Sequence, residues 1–208
     1  MDSNEDLIEM EVYAYYKSVK TSSHGLRTFR YNTEFRSING QGKPIGLIVM
    51  LNPGGAEPES DEIIEKLETE EFETLEPVLT KQDNTMKKVK KLIGVLYQNN
   101  ERKLPEKFTI HIENLFNLKE KNSDTAKRLA KNIKEYNDLM FKERPLKNKY
   151  DFVFFAWGNT NINNERQLML QNKYKNAISV HVKKVSYPIH PLYMNTEHFI
   201  DASMGKLF

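Results

Sequence analysis

The apolar positions of the chain repeat in two ways. Ile45-Gly46-Leu47-Ile48-Val49-Met50-Leu51 is a nearly unbroken apolar run, and Phe152-Val153-Phe154-Phe155-Ala156-Trp157 is another. Short runs that are apolar on both faces predict strands covered from both sides, as in a parallel sheet under helices. Phe108 to Ile112 and Ile178 to Val182 predict two more strands. Between them the period becomes helical. Met86, Val89, Leu92, Ile93 and Leu96 follow a cap at Asp83-Asn84-Thr85. Ala126, Leu129, Ala130, Ile133, Tyr136 and Met140 follow Ser123-Asp124, and residues 164–176 predict a third helix. The order βαβαβαβ predicts an α/β fold with a four-stranded parallel sheet and right-handed crossovers.

The N-terminal region reads two ways. Ile8, Val12, Tyr15 and Val19 fit a helical face, while Met10, Val12, Ala14 and Tyr16 alternate like a strand. Leu26 to Asn32 alternates, and Ser37 to Gly42 carries a turn signal, so an N-terminal hairpin leading into the first core strand is expected. No internal repeat or domain-scale linker interrupts the chain. It reads as one domain over 1–208, with an N-terminal extension over 1–25 and an acidic insert over about 57–77.

Composition narrows the chemistry. The 208 residues are 38% hydrophobic and 29% charged, an ordinary globular profile. Cysteine is absent, which removes disulfides, thiolate-bound zinc, iron–sulfur clusters and a thiol nucleophile. The histidines show no metal-ligand spacing, so neither metal nor cofactor is expected. No apolar run approaches the roughly 20 residues of a membrane span. The acidic N-terminus has no signal-peptide pattern. A cytoplasmic monomer with no membrane partner is expected. The net charge of +2 is unevenly spread. Glu57 to Glu76 is acidic with Lys66 as its only base, whereas Lys87, Lys88, Lys90, Lys91, Lys127, Arg128, Lys131 and Lys134 sit on two predicted helices. Segregated charge suits a polyanion partner, DNA or a nucleotide. Each run taken alone suits a solvated helix face better.

Ligands of parallel sheets bind beyond the C-terminal strand ends. Here those ends carry Asn52, within Leu51-Asn52-Pro53-Gly54-Gly55, then Asn114, then Trp157-Gly158, and the segment reaching His190-Pro191. Phosphate-loop, dinucleotide, zinc-protease and nucleophile-elbow motifs are missing. An asparagine holds water through its carbonyl oxygen or reads an amide-like edge, such as that of a nucleobase. A histidine donates to an oxygen on which negative charge develops. The set suits base recognition and loss of a base as an anion. Each residue also has a plainer reading: Asn-Pro-Gly is turn vocabulary, Trp157 suits a core, and a histidine before proline can simply pack.

Asn52-Pro53-Gly54, Asn114, Trp157-Gly158 and His190-Pro191 together resemble the motifs of the uracil-DNA glycosylase superfamily, a three-layer α/β/α sandwich. A longer series is similar to a family of bacterial, archaeal and phage proteins with no assigned activity. It comprises Arg30-Tyr31, Leu51-Asn52-Pro53, Asp83-Asn84-Thr85, Asn114-Leu115-Phe116, Ala156-Trp157-Gly158 and His190 to Tyr193, over residues 28–201. The glycosylase resemblance implies that Asn52 positions water and His190 stabilises the departing base. It implies that Asn114 reads the base edge, with Gly54 and Trp157 shaping the base pocket. Gly55, Pro191, Leu192 and Tyr193 would contact DNA, the last two with Met194 as a wedge. Three positions depart from the uracil-specific pattern. Asn52 replaces an aspartate, implying slower chemistry; Gly54 replaces an aromatic, implying room for a 5-modified pyrimidine; and Leu192 replaces a phosphate-gripping serine. The implied function is hydrolysis of the N-glycosidic bond of a flipped, modified or unmodified pyrimidine, in a setting such as repair or phage–host conflict. The alternatives are a non-catalytic nucleic-acid or nucleotide binder and a hydrolase of free nucleosides or nucleotides.

Overall fold

The structure, a computed structural model, describes residues 8–181 and 186–207. In chain order it contains β1 (Met10–Thr21), β2 (Gly25–Ser37), β3 (Lys43–Met50), α1 (Asp61–Thr69), β4 (Phe72–Glu73), β5 (Val78–Leu79) and α2 (Asn84–Asn99). There follow β6 (Phe108–Asn114), α3 (Ser123–Asn132), α4 (Asn137–Met140), β7 (Phe152–Ala156), α5 (Asn164–Lys173), β8 (Ile178–Ser179) and α6 (Thr196–Ser203). The expected strand to Val182 and the expected extension from residue 1 run in part outside the described residues.

The fold is mixed α/β. In place of the expected four-stranded parallel sheet, the described residues form an eight-stranded mixed sheet in the order β4-β1-β2-β6-β3-β7-β8, with β5 also on β1. Parallel pairing joins β3 to β6 and β7, and β7 to β8. The strand alternation of the N-terminal segment prevails over its helical reading: Met10, Val12, Ala14 and Tyr16 all point inward from β1. β1 and β2 form a hairpin with its turn at residues 22–24, and the expected turn at Ser37 to Gly42 is also present, with the Gly40 N–H donating to the Ser37 carbonyl at 3.0 Å, leading into β3. β2 then pairs antiparallel with β6, across the sheet from its sequence neighbour β3. The acidic insert folds as α1, β4 and β5 and closes the outer edge of β1, blunting an edge that would otherwise invite another chain.

Two apolar clusters sandwich the sheet. Ile48 and Met50 of β3 join Met86, Val89, Leu92 and Ile93 of α2 and Phe199 of α6. Leu47 and Val49 join Ala126 and Leu129 of α3 and Leu170 of α5. This alternation along β3 explains its apolar run: successive side chains enter opposite cores, each large one contributing about 1.5–3 kcal/mol on burial. The predicted helix from Ser123 to Met140 is broken. α3 is capped by Asn122 and stops at Asn132, and α4 resumes the chain, with Ile133 and Met140 still buried in the second cluster.

β2 carries one residue more than β1 can pair. Tyr13 faces Glu34 and Tyr15 faces Tyr31, and Asn32 adopts φ 50°, a bulge in the left-handed region that asparagine tolerates. The bulge reverses the facing of the strand. Phe35 therefore enters the first cluster while Phe29 enters the second, although six residues of regular strand would put both on one face. Arg30 is thereby turned to the face on which Ala56 and the turn after β3 lie.

Candidate functional site

Met50 pairs with both Asn114 and Ala156, so β3, β6 and β7 end level with one another. Leu51 and Trp157 lie one residue past that line, and Asn52 two. The chain then turns sharply through Pro53 and Gly54, whose φ of 70° is a conformation glycine adopts without penalty. A cleft of about 370 Å³ opens here. Of the expected site residues, Asn52, Gly54, Trp157, His190, Leu192 and Tyr193 line it. Gly55 lines an adjoining hollow that shares Gly54, Asp83, Thr85, Lys121 and Leu192 with the cleft. Pro191 is buried at the head of the 3-10 turn Pro191–Tyr193, which carries the exposed Leu192 and Tyr193 to the rim.

Asn114 is not brought to the cleft. It is 2% exposed and does not line the cleft, although Met50, with which it pairs, does. Its carbonyl accepts from Arg166 Nη1 at 2.7 Å, while its Oδ1 is buried with no hydrogen-bond partner. Arg166 also grips Glu113, which is paired with Arg144 at 2.6 Å, so the end of β6 is pinned by a buried ion network.

Asn52 is oriented by its own amide. Nδ2 donates to the carbonyl of Glu120 at 2.9 Å, leaving Oδ1 as the free end of the side chain. Beneath the turn lies Arg30, 1% exposed, donating to the carbonyls of Pro53 and, at 3.3 Å, of Ala56. Its Nε has no partner. Trp157, 1% exposed, packs on Phe155 in the second core and closes the cleft floor from that side.

His190 caps the 3-10 turn. Its Nδ1 accepts the Leu192 N–H at 3.4 Å, which in the neutral ring places the proton on Nε2. Burial pushes its pKa below the ordinary histidine value, and the Asp83 carboxylate opposes that shift. A neutral Nε2–H donor at the cleft is therefore the resting form. The Gly158 N–H donates to the carbonyl of Pro188 at 2.9 Å, tying the end of β7 to the segment that carries His190.

The cleft also contains residues not expected at the site from the sequence: Thr85, Lys121, Ser123, Lys127, Asn159 and, above all, Asp83. Asp83 reads in the sequence as a helix cap, and it is one: Oδ1 accepts the Met86 N–H at 2.9 Å. Its second oxygen lies 3.2 Å from where a side chain on Gly54 would begin. The sequence signal for these positions is the Asp83-Asn84-Thr85 motif, and both Asp83 and Thr85 line the cleft. Arg30, Lys121 and Lys127 against Asp83 leave the lining cationic, which suits a ligand carrying phosphate. Among the described residues no helix is long and apolar enough to cross a membrane.

Residues 79–192 match a family model described as Protein of unknown function (DUF1643). The match includes Asp83, Asn114, Trp157 and His190 and begins after the Asn52 turn. No curated protein and no solved structure matches the chain. The matched segment covers over half of the sequence, and the chain belongs to the DUF1643 family.

Proposed function

We propose that this protein is a DNA glycosylase-like enzyme that hydrolyses the N-glycosidic bond of a flipped pyrimidine. The observation that carries the reading is that Asn52 and His190, distant in sequence, line one cleft beyond the parallel strand ends with Gly54 and Trp157. Strands β6, β3, β7 and β8 would be the counterpart of the four-stranded core of the uracil-DNA glycosylase fold, with the β1–β2 hairpin added at its edge. A volume near 370 Å³ is at the small end of the roughly 300–1,000 Å³ typical of ligand pockets, a fit for one nucleotide unit. Flipping a base into it costs a few kcal/mol, which the exposed Leu192 and Tyr193 would offset by filling the vacated stack. Asn52 Oδ1 would hold the water, and the Nε2–H of His190 would donate to the oxygen of the base as it leaves with the bonding electrons. Lys121 and Lys127 would contact phosphate, making affinity fall with salt.

The test is release of free base from duplex DNA carrying uracil, a thymine mismatch or a hydroxymethylated pyrimidine, with Asn52→Ala and His190→Ala beside the native protein. Each variant is expected to lose about 10²-fold or more in rate. Release that both variants leave unchanged sinks the assignment. A second reading, nucleotide or nucleic-acid binding without hydrolysis, is favoured by the burial of Asn114, which leaves the cleft without its expected base-edge reader. DNA binding with no release from any of these duplexes would select it.

A further inference from the structure

We propose that Asp83, not Asn52, is the catalytic base of this cleft, a role that rests on the glycosidase reading above. Asp83 is the only carboxylate in the cleft lining among the described residues. Its two oxygens are differentiated. Oδ1 is held by the first turn of α2 through the Met86 N–H, and Oδ2 accepts no hydrogen bond from the described residues. Oδ2 is presented over Gly54, and any side chain at that position would start 3.2 Å from it. The absence of a side chain at Gly54 thus keeps the free oxygen open to the cleft.

Asn52 complements this arrangement and cannot replace it. An amide oxygen accepts a hydrogen bond from water but does not take its proton. With Nδ2 committed to Glu120, Asn52 is a fixed acceptor that orients the water, and Asp83 is the group able to receive the proton. His190, across the cleft, resides in its neutral form and forms no ion pair that would occupy the carboxylate. The other charged groups around Asp83 are Arg30, Lys121 and Lys127 in the cleft and Glu57 and Lys81 in the adjoining hollow.

In the step itself the water oxygen bonds to the anomeric carbon of the sugar. The carbon–nitrogen bond breaks, and its electron pair leaves with the base. One water proton passes to Asp83 Oδ2, and the base anion, stabilised by the His190 Nε2–H, is later protonated by solvent. No oxidant, metal or second substrate is needed.

Asp83→Asn is the discriminating variant because asparagine caps a helix as well as aspartate does. The measurement is single-turnover release of base from the three duplexes named above, at saturating protein, across a range of pH. Asp83→Asn is expected to slow release about 10²–10⁴-fold with DNA affinity within about threefold of native. The native rate is expected to fall on acidification, and the variant rate is not. Native-like release by Asp83→Asn beside loss in Asn52→Ala overturns the assignment and leaves the glycosidase reading standing. So does a slower variant that keeps the acid fall. A native protein inert on every duplex overturns the glycosidase reading and this assignment together.

Discussion

The guanidinium of Arg30 donates to the carbonyl of Pro53 from beneath the turn that presents Asn52 and Gly54. A second bond, to Ala56, makes the side chain a clamp across both ends of that turn. Arg30→Met keeps the apolar stem and removes both donors, leaving the Pro53 carbonyl unpaired in the interior and the Ala56 carbonyl with the Tyr16 hydroxyl at 3.4 Å. The expected cost is about 2 kcal/mol in urea unfolding, partly offset by loss of the buried charge, together with weaker ligand binding in the cleft. Arg30→Lys, with one donor in place of a fork, should fall between the two.

Gly54 and Gly158 have nearly the same left-handed backbone, φ 70° and 71°, but different surroundings. A methyl on Gly54 would press on Asp83 Oδ2 at 3.2 Å, whereas one on Gly158 would meet His190 Cβ at an ordinary 3.7 Å. Both alanine variants should lose about 1–2 kcal/mol from backbone strain. Only Gly54→Ala should also impair the cleft beyond its effect on stability. Titration of a nucleotide or abasic duplex at equal folded fraction separates the two effects.

The capping and chemical roles of Asp83 separate by substitution. Asp83→Ala removes the acceptor of the Met86 N–H and should cost about 1 kcal/mol of stability, while Asp83→Asn should stay within about half of that. Parallel urea midpoints for the two variants check this directly.

His111 gives the fold a dependence on pH. It is buried on β6, its Nδ1 bonded to the Tyr150 hydroxyl at 3.0 Å, and burial, aided by Arg144, lowers its pKa from 6.5 to about 4. The folded state therefore favours the neutral ring more than the unfolded state does. The stability this contributes is complete above about pH 6.5 and is lost as pH falls through about 4. The full span is at most about 3 kcal/mol. His111→Asn should flatten the fall in unfolding free energy across that window, as measured by urea unfolding at several pH values.

Much of this architecture is legible because local pattern and burial agree. β3 and β7 read as two-faced strands and lie between two cores, and Asp83 reads as a cap and caps α2. The unread parts are non-local. The pairing of β2 with β6 leaves no local trace, and the helical alternative for Ile8 to Val19 yields to the pairing of β1 with β2. Asn114 and Asn52 look equivalent in sequence, each a polar residue after an apolar run. Their exposure differs because Arg166 and Arg144 bury the end of β6, through the Asn114 carbonyl and Glu113. Asp83 reads as a cap, which accounts for one oxygen and says nothing of the other.

The bulge at Asn32 makes β2 a counting device. Arg30 reaches the Asn52 turn only because one unpaired residue separates it from the regular strand at Phe35. Single-residue insertions or deletions between Arg30 and Phe35 would swing the arginine out of the cleft and a neighbour into its place, with every catalytic candidate left intact. Among relatives, this spacing should tolerate changes of residue far better than changes of length.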